Sequence, residues 1–395
     1  MGLFKLGRDV GLLTASWSLA ATFSALLVSV AALSGHVLAE DKSLATLPIA
    51  LQWLGTAAAT IPSRLLILRI GWRAGLSIGN GAGILGAVLC AGAFYVHSFA
   101  LFSVGIFLIG VSIAVSHSYR FAAAEVAAPA HRPRAVSAVL AGGVLAALIG
   151  PELAKFGLGV DPAHGYAGPF WMMAVLGLAT ALLILPMRIP APPPPVPGAG
   201  RFGPALRQPD VLVAIATAIA AYAVMILLMS VTPLAMVHHH HDFADAAFVI
   251  QWHVVGMYAP SFFTGHLIRR FGVRSVMLVG LAILAGSIAS AYSGAGVGHF
   301  WLALSLLGLG WNFCFIGATT LLSDACAPEH RAKVQAVNDF LVFGTAGLSS
   351  LSAGMLLHGV GWQALNLVAL PVLVLVAALL AARLATVTRS ARPAA

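Results

Sequence analysis

The stretch from Phe340 to Ala382 reads FLVFGTAGLSSLSAGMLLHGVGWQALNLVALPVLVLVAALLAA and contains no Asp, Glu, Lys or Arg. A helix needs about 20 consecutive apolar residues to cross the hydrocarbon core of a bilayer, so this run has the length of two crossings. Ala74 to Tyr119 and Ser275 to Ser323 are equally long charge-free intervals, with turn cues near their middles at Tyr95-Val96-His97-Ser98 and Ser293-Gly294-Ala295-Gly296. Six intervals of single length accompany them: Val10 to Ala39, Ser43 to Ser63, Ala135 to Pro151, Pro162 to Met187, Val211 to Val237 and Ala246 to Ile268. Three pairs and six singles give twelve spanning helices. The runs are continuously apolar and rich in Leu and Ala, without the alternation that a membrane β-strand requires.

Composition agrees. Of 395 residues, 60% are hydrophobic and only 8% charged, where a soluble domain carries about 25% charged residues. The fold expected is therefore an all-α membrane protein. Basic residues at Lys5, Arg8, Arg64, Arg69, Arg73, Arg132, Arg134, Arg188, Arg201, Arg207, Arg269, Arg270, Arg274, Arg331, Lys333, Arg383, Arg389 and Arg392 fall at the two termini or in alternate loops, whereas the opposite loops hold only Lys42 and Lys155. Basic loops stay cytoplasmic, so both termini are expected in the cytoplasm, with the first helix retained as a span. The net charge of +9 reads as this topology signal plus attraction to anionic lipid. Nothing else in the sequence supports nucleic-acid binding. Cys90, Cys314 and Cys326 give no disulfide framework.

Pro190-Ala191-Pro192-Pro193-Pro194-Pro195-Val196-Pro197-Gly198 is too rich in proline to be helical and suits a semi-rigid linker. It divides the chain into residues 1–187 and 209–395, six helices each, joined by a cytoplasmic segment 188–208. The halves repeat one another. Ala128-Pro129-Ala130-His131-Arg132 recurs 199 residues later as Ala327-Pro328-Glu329-His330-Arg331, with Glu125 mapping onto Asp324, and Arg69-Ile70-Gly71-Trp72-Arg73 recurs as Arg270-Phe271-Gly272-Val273-Arg274.

In these loops the chain resembles the major facilitator superfamily over its whole length. The family signature Gly-x-x-x-Asp-x-x-Gly-x-Arg survives in the second half from Gly265 to Arg274, with Arg269 at the Asp position, and only in part in the first half. The pattern Glu-x-x-x-x-x-x-Arg is kept at Glu125 and Arg132 and repeated at Asp324 and Arg331. The resemblance implies two six-helix bundles rocking about a central site, with Glu125, Arg132, Asp324, Arg331, Arg270, Gly272 and Arg274 as gating residues on the cytoplasmic face.

Cargo sites in such carriers lie near the bilayer midplane, so polar side chains deep in the spans are the candidates. Met225 and Met229 in the seventh span, and His253 and Met257 in the eighth, each stand four apart on one helical face. Counted from the turn at His240, the pairs reach matching depths. Three thioethers and an imidazole form a soft donor set suited to Cu(I). This spacing looks like the CcoA-like copper importers, a branch of that superfamily, which implies a metal site at Met225, Met229, His253 and Met257. Copper is then the transported substrate rather than a cofactor. The run His238-His239-His240-His241, placed outside by the topology, is a candidate for metal capture. Gln52, His117, Tyr119, Arg120, Asn312 and Asn338 either line the path or join helices by hydrogen bonds.

A carrier of a small organic molecule, by riboflavin-like vitamin import or drug or metabolite efflux, is the alternative. An enzyme is not expected, because no nucleophile motif, Walker loop or long extramembrane segment is present. The sequence points to a monomeric secondary transporter of a bacterial inner membrane whose partners are the lipid bilayer and a small molecule or metal ion.

Overall fold

The computed structural model describes residues 7–128, 132–190 and 203–390, without the side chains of residues 124, 132–134, 136–137, 140–141, 328–329, 331–332 and 388–390. The proline-rich stretch beyond Pro190 lies outside the described residues. Within them the chain is helical: α1 Arg8–Leu38, α2 Leu47–Ile70, α3 Trp72–Tyr95, α4 Phe99–Ser116, α5 Tyr119–Val126, α6 Arg132–Leu158, α7 Ala167–Ile184, α8 Gly203–Leu206, α9 Pro209–Met229, α10 Thr232–His238, α11 Phe243–Tyr258, α12 Ser261–Phe271, α13 Val273–Ser293, α14 Val297–Ala325, α15 Pro328–Val368 and α16 Leu370–Ser390.

Nine helical stretches among the described residues are long and apolar enough to cross a membrane. The last of them, Lys333–Val387, runs for 55 residues and holds two crossings, because Gly361 (φ 79°, ψ 176°) interrupts the helical backbone. Adding α6 and the broken pair α11 and α12 brings the total among the described residues to twelve spans.

The breaks have identifiable causes. Pro233 opens α10 and has no N–H for the carbonyl of Met229, so the seventh span breaks at Ser230 and Val231. Pro260 caps α12 and separates it from α11. The two signature loops share one backbone conformation: Gly71 (φ 85°, ψ 166°) and Gly272 (φ 84°, ψ 147°) each close one helix and open the next. Side chains other than hydrogen rarely occupy that region, which explains the glycine in both copies of the repeat.

Packing is tightest where small residues face one another. A Cβ on Gly86 of α3 would stand 2.5 Å from the Gly105 carbonyl oxygen of α4, and one on Gly280 of α13 would stand 3.0 Å from that of Gly310 in α14. Close approach of backbones replaces the hydrophobic drive that is absent between helices in lipid. The three cysteines are buried and form no disulfide among the described residues, Cys90 and Cys314 with Sγ 3.6 Å from carbonyls of the facing helix. The chain forms two compact units, Met1–Pro195 with His240–Gln251, and Val196–His239 with Trp252–Ala395. The first is centred on Val10, Leu13, Leu76, Tyr119, Ala123 and Ile184.

Candidate transport site

Met225 and Met229 are buried at the end of α9, immediately before the break of the seventh span. His253 is fully buried on α11, and Met257, one turn on, is half-buried. Both pairs lie on helices that pack against α14. The His253 imidazole is fixed by its Nδ1, which lies 2.9 Å from the Leu304 carbonyl oxygen of α14. A carbonyl only accepts, so Nδ1 carries the proton and the lone pair resides on Nε2. That Nε2 is buried and has no protein partner.

Glycines allow this contact. Gly308 of α14 sits so close to α11 that an added Cβ would meet the His253 carbonyl oxygen at 2.3 Å, and Gly256 faces the Ser305 carbonyl in the same way. Below the contact, Asn312 stitches the Pro260 break: its Nδ2 donates to the Met257 carbonyl and to Ser261 Oγ, both at 2.7 Å, while its Oδ1 accepts from Thr264 Oγ1 at 2.7 Å. Asn312 thus ties α14 to both sides of the break between α11 and α12.

Sequence reasoning passed over the aromatic residues of the same unit. Tyr222 of α9 meets Trp311 and Phe315 of α14 edge-on at 5.2 and 5.4 Å, and Phe343 of α15 at 6.0 Å. Trp311 and Phe315 stack at 4.9 Å with 10° between their planes. The available signal was the four-residue spacing of Trp311 and Phe315, which places both rings on one helical face. Trp311 Nε1 is buried without a protein partner, as are Trp301 Nε1 and Ser305 Oγ of the same helix. With His253 Nε2 these make four unsatisfied polar atoms on two touching helices. A polar atom left in this way costs about 1–3 kcal/mol unless something bonds to it.

The candidate capture residues His238, His239 and His240 are exposed and His241 is half-buried. Among the described residues no group of three His, Cys, Asp or Glu side chains is arranged to hold a metal ion. Of the expected gating residues, Glu125 is half-buried and Asp324 exposed, and neither forms an ion pair among the described residues. The side chains of Arg132 and Arg331 lie outside the described residues. The Arg270 guanidinium lies 5.2 Å from the Phe271 ring. Arg274 is engaged within its own unit: Nη2 is 2.7 Å from Asp210 Oδ1, and Arg383 grips the same carboxylate through Nε at 2.9 Å and Nη2 at 3.2 Å. Asp210 and Arg383 were not singled out from sequence. The repeat held a clue, because Asp9 precedes Asp210 by the same 201 residues that separate Arg73 from Arg274.

Broken and unbroken spans and two repeated signature loops define a helical membrane carrier. The chain belongs to the Major Facilitator Superfamily, whose family model matches residues 10–257 and 213–395. It is 39% identical over 373 residues to the riboflavin transporter RfnT of Brucella anthropi, covering 93% of this chain and 94% of that one. It is 31% identical to the uncharacterized MFS-type transporter YdeG of Bacillus subtilis, covering 86% and 84%. The crystal structure of a D-xylose-proton symporter superposes with a TM-score of 0.75 over 94% of this chain and 96% of that one, at 14% identity, and shows the shared fold. The chain is therefore a transporter rather than an enzyme.

Proposed function

We infer that this transporter carries a planar, heteroaromatic organic molecule of riboflavin type across a bacterial inner membrane by alternating access. The carrying observation is the cluster of Trp311, Phe315 and Phe343 about Tyr222, in which the Trp311 indole N–H has no partner among the described residues. Rings offer a stacking surface worth about 1–3 kcal/mol per stacked base-like ring, and the Trp311 N–H supplies a donor to a ring carbonyl. His253 Nε2 and Ser305 Oγ complete the polar set for hydroxyl groups. The likeness to a riboflavin transporter along nearly the whole chain supports the same cargo class. In this reading residues 1–187 and 209–395 are the two rocking bundles, 188–208 is their cytoplasmic connection, and the basic loops face the cytoplasm.

Copper uptake is the second reading. It is favoured by His253, whose Nδ1 is held by a carbonyl while Nε2 stays available, the arrangement in which metal-binding imidazoles are oriented. Met225, Met229 and Met257 would supply the thioethers. Uptake of radiolabelled riboflavin and of copper, measured in bacteria lacking their own carriers for each, separates the two. Expected are riboflavin uptake by the wild type, its loss in Trp311→Ala, and copper accumulation independent of the gene. Copper accumulation lost in His253→Ala and Met229→Ala, with no riboflavin uptake, would reverse the assignment.

A further inference from the structure

Two arginines converge on one ring in the first unit. The guanidinium carbons of Arg64 in α2 and Arg120 in α5 lie 5.7 and 4.9 Å from the centroid of Phe121. Arg64 precedes the end of α2 at Ile70 by six residues, and Arg120 precedes the end of α5 at Val126 by six. At 1.5 Å per residue each lies about 9 Å inside its helix end, and Phe121 brings the two together.

Among the described residues neither guanidinium forms an ion pair, and Glu125, one turn beyond Phe121, joins neither. Two guanidiniums about one ring without a counter-ion leave like charges uncompensated, which an anion reaching both would relieve. The neighbours indicate where that anion comes from. Ile61, Leu65 and Phe121 are 48, 52 and 41% exposed, an apolar surface that water would not line but acyl chains would. Ile61 and Leu65 stand four apart on the same face of α2. Arginines at the edge of such a surface reach the headgroup boundary.

The internal repeat sharpens the point. The positions equivalent to Arg64 and Arg120 in the second half are Gly265 and Thr319, so the pair is a property of the first half alone and not of the fold.

We propose that Arg64, Arg120 and Phe121 form a binding site for the phosphate headgroup of an anionic phospholipid in the leaflet that the basic loops mark as cytoplasmic. The guanidiniums take the phosphate oxygens, and Phe121 with Leu65 and Ile61 receives the upper acyl chains. Basic pockets between spanning helices on this side bind such headgroups. Nothing in the site depends on which cargo the protein carries.

The test is native mass spectrometry of the purified full-length protein, comparing retention of phosphatidylglycerol and phosphatidylcholine of identical acyl composition. The wild type should prefer phosphatidylglycerol. At about 1 kcal/mol per basic residue near the surface, the preference should fall roughly fivefold in Arg64→Gln or Arg120→Gln and about 30-fold in the double variant. The double lysine variant should keep most of the preference, Arg269→Gln should leave it unchanged, and excess inorganic phosphate should not displace the lipid. An unchanged preference in the double glutamine variant overturns the proposal. So does an equal loss in Arg269→Gln, which would make the effect one of general charge, and so does displacement by inorganic phosphate, which would make the site one for a soluble anion. If the double variant does not survive purification, the two single variants read the same ratio.

Discussion

Asp210 is where an isolated charge change should be felt most. Its carboxylate accepts from Arg274 at 2.7 Å and from both nitrogens of the Arg383 fork at 2.9 and 3.2 Å, tying the starts of α9 and α13 to α16. The side chains of Asp210, Arg274 and Arg383 are 22, 18 and 30% exposed, between the surface pairs worth about 0–1 kcal/mol and the buried pairs whose disruption costs about 3–5 kcal/mol. A bidentate guanidinium at partial burial should therefore couple to Asp210 by about 1–2 kcal/mol. Replacement of Asp210 by Asn keeps the size but leaves two cations facing each other with no anion, so its cost should exceed that of Arg383→Gln alone. The measurement is a double-mutant cycle of Asp210→Asn and Arg383→Gln, with unfolding free energies taken from tryptophan fluorescence during sodium dodecyl sulfate titration in mixed micelles. A coupling energy below about 0.3 kcal/mol, the limit of ordinary additivity, would refute the assignment of this triad as a structural tie.

Other consequences are open to direct measurement. Trp311→Phe retains a ring but removes the donor, so riboflavin uptake should drop about tenfold, the value of one hydrogen bond to a neutral partner, with surface expression unchanged by immunoblot. Gly308→Ala places a Cβ 2.3 Å from the His253 carbonyl oxygen, and the forced separation of α11 and α14 should cost at least about 1–3 kcal/mol in a thermal-stability assay on detergent-solubilised protein. Gly298→Ala on the same helix, which has open space around it, should be neutral. In the segment between α6 and α7, the Tyr95 hydroxyl first and His164 second hydrogen-bond Asp161 and hold its carboxyl below the ordinary carboxylate range. A lowered folded value means that this tie is complete above the unfolded value of about 3.9 and is lost as pH falls through the lowered one. Deuterium uptake around residues 161–166 should accordingly rise only in strong acid in the wild type, and should already be raised at neutral pH in Asp161→Asn.

The class of protein was legible in the sequence because a bilayer imposes a one-dimensional rule: a span is about 20 apolar residues wherever it occurs, and charge-free intervals such as Phe340 to Ala382 record it. The glycine at positions 71 and 272 was equally legible, since the repeat preserves a backbone conformation that only glycine takes readily. Met225 with Met229, and His253 with Met257, could each be assigned to one face of a helix, because helical spacing fixes the face.

Tertiary structure decided what those faces meet. That His253 carries its proton on Nδ1 and leaves Nε2 unbonded among the described residues follows from the carbonyl of Leu304, 51 residues away. That Asp210 holds two arginines depends on α16, 173 residues away. That Tyr222, Trp311, Phe315 and Phe343 form one cluster depends on three helices. In a chain that is apolar almost throughout, hydrophobicity says that each helix is in the membrane but not which neighbour it touches. The few polar and aromatic contacts arise from close packing between distant segments, and a local pattern such as the spacing of Trp311 and Phe315 fixes a face but not its partner.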